Sequence, residues 1–227
     1  MLISNHLHGF NVRVKQVELS YTDDGANSAD LTTYTFSGKA LGAAHSNRKI
    51  AVHTIGHNGT FTGRTISSVT IGGVAASVVI SADAVGGQTR LSAIYEAEVP
   101  TGTTGDVVVV FSGAMSSCSI TVYRLINAGA AFDTGSDITV TTNAVSDTLN
   151  IPAGGAAIAG VMVASGTLRT SSWTGLSENT DVALDAIHSS SAASAAFAAT
   201  QTALEIKDTF SGTPNGAALV MASWGPA

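Results

Sequence analysis

Among the 227 residues of the chain, four small groups have residue types that could do chemistry. The first is His53 and His57, in "AVHTIGHNGT". On a strand they share a face, but at ~3.3 Å per residue they stand about 13 Å apart, too far for one metal ion. Only a bend at Gly56 would join them. The second is His6 and His8, which can project from one side of an extended arm. No acidic or cysteine ligand lies nearby, so no metal is expected there. The third is Glu96 and Glu98 in "YEAEVP", which point the same way. Their separation fits the ~5–10 Å of paired glycosidase carboxylates. The alternation around them reads better as the solvent face of a strand. Asp23-Asp24-Gly25, with Asp30, has the acid density of a calcium loop. It lacks the alternating ligands and closing Glu of an EF-hand, and turn chemistry accounts for it more simply.

Motifs that would fix an activity are missing. There is no G-x-S-x-G nucleophile elbow. There is no P-loop and no G-x-G-x-x-G dinucleotide fingerprint. Cys118, the single cysteine, sits in the strand-like "SSCSITVY" and reads as a small buried hydrophobe. Arg48-Lys49 is the nearest thing to a basic cluster in a chain of net charge −6, which argues against a nucleic-acid partner. Trp173, in the loop-like "SSWTGLSEN", can pack at a core rim, anchor an interface or stack on a sugar. Trp224, in "ALVMASWG", reads as core. The expectation is a non-enzymatic protein without cofactor.

The elements that must position these residues are strands. In "RLSAIYEAEVP", Leu91, Ala93, Tyr95, Ala97 and Val99 alternate with Ser92, Glu96 and Glu98, with Ile94 the exception. Pro100 ends the run. "VVVVF", Val107 to Phe111, reads as a strand buried on both faces. "SITVYRLI", "AAIAGVMVA", "ALEIKDTF" and "ALVMASW" follow at the spacing of a sandwich or barrel. "SSSAASAAFAAT", Ser189 to Thr200, is open between strand and helix: it is alanine-rich but offers only Phe197 to bury. Hydrophobic residues make up 44% and charged residues 11%, so the chain has a core and a hydroxyl-rich surface suited to packing against neighbouring subunits. The reading is all-β: a single-domain antiparallel β-sandwich of jelly-roll type over residues 16–227. Residues 1–15 form a docking arm, with Leu2, Ile3, Leu7 and Phe10 as its apolar contacts. No run approaches the roughly 18 apolar residues of a membrane span. The opening lacks the pattern of a secretory signal.

Gly72-Gly73, in "SVTIGGVAASVVI", is predicted to be the tip of a type I′ hairpin, because both central residues need positive φ. That register pairs Ile71 with Val74, Val69 with Ala76 and Ser67 with Val78. It places Val69, Ile71, Val74, Ala76 and Val78 on one face. The chain also echoes itself. "FSGKALGAA" from Phe36 matches "FSGTPNGAA" from Phe210 at six of nine positions, and "FSGAMSS" from Phe111 is a weaker copy. A recurring strand end with Phe in the core explains this better than a triplicated binding loop.

Several phrases occur together in order: "YTFSGKALGAAHSNRKIAV", "SSVTIGGVAASVV", "EVPTGTTGDVVVVFSG", "NIPAGGAAIAG" and "WTGLSEN". Over residues ~20 to 227 the chain resembles a family of structural proteins of tailed bacteriophages and prophages. The resemblance implies a virion component, either a capsid decoration protein or a tail or fibre subunit. Such a subunit would assemble in the host cytoplasm, form homo-oligomers and dock onto other capsid or tail proteins. The alternative within the same setting is a carbohydrate-binding module that reads a host-surface glycan through Trp173.

Overall fold

The computed structural model describes residues 15–60, 63–84 and 88–227. These residues form strands and turns only, as the alternation implied. The first half contains β1 (Glu18–Asn27), β2 (Leu31–Ala40), β3 (Arg48–Asn58), β4 (Ile66–Ile71), β5 (Val74–Ala75), β6 (Ser77–Asp83), β7 (Thr89–Glu98), β8 (Thr104–Met115) and β9 (Ser117–Ile126). First pairs with last: β1 with β9, β2 with β8, β3 with β7 and β4 with β5, all antiparallel. A nested hairpin of this kind, wound over itself, is a jelly roll. Its two sheets run β1-β9-β3-β7-β6 and β2-β8-β4-β5.

The second half repeats the roll. Its strands are β10 (Ala128–Thr139), β11 (Ala144–Ile151), β12 (Ala156–Ala164), β13 (Ser171–Thr174), β14 (Ser177–Ala183), β15 (His188–Ala196), β16 (Gln201–Phe210) and β17 (Gly216–Pro226). The sheets are β10-β17-β12-β15-β14 and β11-β16-β13, the same order with no counterpart of β5. One residue, Asn127 at φ 58°, joins the rolls. Ser189–Ala196, left open between helix and strand, is strand: a helix there would bury almost nothing, whereas a sheet centre accepts small residues.

The two rolls correspond through shared irregularities of register. A bulge at Val79 restores pairing at Ile80 with Ile94, and a bulge at Asn179 restores it at Thr180 with Ala192. Ser116 N–H donates to His57 O as Asn215 N–H donates to Ala164 O. A clasp recurs too. Ser112 N–H donates to Thr65 O and its Oγ accepts from Thr65 N–H; Ser211 and Thr170 do the same. In each clasp an arginine, Arg64 or Arg169, lies over a glycine, Gly113 or Gly212. The Phe-Ser-Gly at Phe111 is therefore the true counterpart of that at Phe210. The closer match at Phe36 lies on β2, a different position of the roll.

Four layers result. Val52, Tyr95, Val109 and Phe111 help fill the first roll, and Val161, Ile206, Phe210 and Leu219 the second. The large sheets then face each other across a third apolar layer, where Ile94, Tyr123 and Leu125 meet Ile158, Val220 and Trp224. This seam makes one folded body of the two rolls. It corrects the reading of β7: Leu91 to Val99 do face the core, but Ser92 and Ile94 on the other side are fully buried, because the second roll covers them. Conversely, Val108 and Val110 are only half-buried, since β8 belongs to an outermost sheet.

The Gly72-Gly73 hairpin forms with φ 58° and 80°. Ile71 pairs with Val74, and Ala76 N–H donates to Val69 O. The ladder stops there, because β6 leaves for the other sheet and pairs with β7. The expected Ser67–Val78 pair is absent, and Val74 and Val78 are exposed while Val69 and Ile71 are buried.

Candidate functional site

Duplication gives each position of the second roll a reference in the first. Strand β4 pairs Ile66 with Phe111 and Val69 with Val109. At the same places β13 pairs Ser171 with Phe210 and Trp173 with Asp208. Ala93, opposite Ser81, likewise becomes Ser191, opposite Asp181. Four apolar core positions of one roll are thus Ser171, Trp173, Ser191 and Asp208 in the other. The fold tolerates apolar residues throughout, so packing did not require the polar set.

The edge that carries this set is built differently. The β4–β5 hairpin of the first roll is replaced by a tight turn at Gly175, φ 87°, where a Cβ would stand 2.4 Å from Glu205 O. With β5 gone, β13 is the outer edge of its sheet. Ser171 Oγ donates to Asp208 Oδ2 at 2.8 Å and Ser172 N–H to Asp208 Oδ1 at 3.0 Å. Ser171 N–H donates to Asp181 Oδ2 at 3.1 Å, so one serine bridges two carboxylates. Trp173 Nε1 donates to Ser191 Oγ at 2.8 Å, and Ser191 Oγ donates to Thr180 O at 2.9 Å.

Asp208 is fully buried, and burial pushes its carboxyl up to about 6; the serine bonds oppose this, and the charges of Asp181 and Glu178 add to it. Burial also raises Asp181, and burial with the Asp181 charge raises Glu178. The cluster can take up a proton in mildly acidic solution and can accept hydrogen bonds from hydroxyl donors. Trp173 itself is half-buried in strand β13 rather than in a loop, packed at the rim of the second core.

The other sequence candidates have structural roles. His53 and His57 are both buried. His53 Nε2 is 2.9 Å from Ser92 Oγ, and burial depresses its imidazole to about 3. Glu98 is exposed, whereas Glu96 is drawn into the seam: Lys49 Nζ donates to its Oε1 at 2.8 Å and Trp224 Nε1 to its Oε2 at 2.7 Å. Arg48 is buried and donates to the carbonyls of Val99, Leu41, Gly42 and Thr101. The basic pair is thus consumed inside the fold. Burial pushes the Cys118 thiol up to about 12.

Asp23 and Asp24 lie within β1, not in a turn. Asp23 accepts N–H bonds from its neighbour Asp24 at 2.8 Å and, across the roll corner, from Ala40 at 2.7 Å. Burial opposes ionisation of Asp23, but these bonds and Lys39 hold it below the usual carboxylate range. Asp133, Asp137 and Asp147 form the same kind of bridge between β10 and β11. Their carboxylates cap N–H groups that would otherwise offer open strand edges.

Leu2, Ile3, His6, Leu7, His8 and Phe10 lie outside the described residues. Among the described residues no group of three His, Cys, Asp or Glu could hold a metal ion, and no helix is long and apolar enough to cross a membrane. Asp208, Asp181 and His188 were not singled out in the sequence. Only alignment of the two halves, with Phe111 set on Phe210, brings Val109 against Asp208. No protein-family model matches the chain, and a search of curated proteins finds no match.

Proposed function

We propose that the protein is a non-enzymatic structural subunit of a tailed-phage particle, a capsid decoration or tail component that works by self-association and docking. One observation carries the association: the adjoining strands β6 and β10 expose Val78 (57%), Phe132 (60%) and Ile138 (47%). Large apolar side chains at this exposure fit an assembly surface. The phage setting rests on the sequence resemblance. Immunogold labelling and mass spectrometry of purified particles test it, and absence of the protein from particles rejects it. Light scattering tests the surface separately: Phe132→Asp with Ile138→Asp should reduce oligomer mass without loss of fold.

A second reading is favoured by the polar replacement in the second roll. Trp173 and Asp181 at an open edge, with buried Asp208 holding Ser171 and Ser172 beneath them, suit a hydroxyl-rich ligand such as a glycan. Glycan-array binding that is lost in both Trp173→Ala and Asp181→Asn would support this reading; an array blank for the wild-type protein would dismiss it.

A further inference from the structure

Two imidazoles from different rolls meet at one end of the seam. His57 lies near the end of β3 and His188 begins β15. Their ring centroids are 3.6 Å apart and their planes tilted by 33°. Exposure is 3% for His57 and 7% for His188. Asp185 Oδ2 lies 2.7 Å from His188 Nδ1, and Asp185 Oδ1 accepts the N–H groups of Ile187 and His188.

The remaining charges are few. Arg90 of β7 is the sheet partner of His57 and lies across Gly216 of β17 in the other roll. Its guanidinium donates to Gln88 Oε1 at 2.7 Å, and its backbone N–H donates to Asp83 Oδ1 at 2.8 Å. Phe61, Thr62, Val85, Gly86 and Gly87, which lie outside the described residues, have no titratable side chains. Two carboxylates, Asp83 and Asp185, therefore balance Arg90 and whatever charge the two imidazoles take.

We propose that the His57–His188 stack is an acid-sensitive catch between the rolls, closed while an imidazole is neutral and released when both are protonated. Two imidazolium rings 3.6 Å apart beside Arg90 would repel in an environment with little water to screen them. Burial, with the neighbouring His188 and Arg90, depresses His57 to about 4, against the milder pull of Gln88 and Asp185. A group with its closed-state pKa below its open-state value binds more protons when released. The catch is at full strength above the ordinary histidine pKa of ~6.5 and weakens as pH falls toward about 4.

Hydrogen-exchange mass spectrometry on the full chain, corrected for intrinsic exchange, tests this. Between pH 7 and pH 4.5, protection of residues 56–58 and 187–190 should fall at least about tenfold, while β8 and β16 in the outer sheets change little. In His57→Phe, which keeps a stacked ring without the charge, the fall should be under about twofold. His188→Gln provides a second variant should the first fail to fold. No fall in the wild-type protein, or an equal fall in the variants, overturns the proposal.

Discussion

His53 and Gly160 hold the same position in the two rolls, and they meet across the seam. A Cβ on Gly160 would lie 2.3 Å from His53 Cγ. One roll supplies a ring, and its sister supplies the space for it. Gly160→Ala should therefore destabilise the protein by about 1–3 kcal/mol through overpacking. Adding His53→Ala should recover at least about 1 kcal/mol of that loss, since the two residues share one space. Urea unfolding of the four-member cycle measures both numbers. Additive losses would mean that the seam relaxes around the methyl group.

Asp208 should make the second roll more stable in acid than at neutrality. Its folded-state pKa of about 6 lies above the ordinary aspartate value, so the folded chain holds the proton more tightly. The sign follows: its contribution is fully present below about pH 4 and is lost as pH rises through about 6. Asp208→Asn should remove this slope and raise stability at pH 7 by about 1–3 kcal/mol relative to the wild-type protein. Its effect opposes that of the buried histidines, so the comparison needs urea unfolding of both proteins at pH 4, 5, 6 and 7. Parallel curves would count against a strained carboxylate.

The twin serine clasps should behave as independent copies. Ser112→Ala and Ser211→Ala each remove the acceptor for one backbone N–H, at a cost of about 0.5–1.5 kcal/mol. They lie in different rolls with no shared partner, so the double variant should show the sum within about 0.5 kcal/mol. Thermal unfolding by circular dichroism is sufficient. A large excess in the double variant would reveal communication through the seam.

The sequence announced strands wherever one face alternated cleanly. Leu91 to Val99 and the Gly72-Gly73 turn were legible because periodicity and positive φ are local properties. The seam was not legible. Ser92 and Glu96 look like a solvent face, and small residues such as Ala156 and Gly160 look merely permissive. They become informative only once a second sheet lies against them. The duplication was half visible, through Phe-Ser-Gly, but the strongest match joined unlike strands. Loop composition around Phe36 and Phe210 outweighed the weaker signal at Phe111. The Trp173–Asp208 pair was hidden for a related reason: a buried aspartate in "EIKDTF" looks like an exposed one until its register partner is known.

The single residue between the rolls, Asn127, has a consequence for how the seam can be maintained. Two separate rolls would have to find each other by diffusion and lose translational freedom on meeting. Tethered by one residue, they see each other at an effective concentration on the order of millimolar, however dilute the protein itself is. The seam need not be strong to stay shut. A contact too weak to hold a dimer can still keep this pair together, and it can open at one end without the halves being lost to each other.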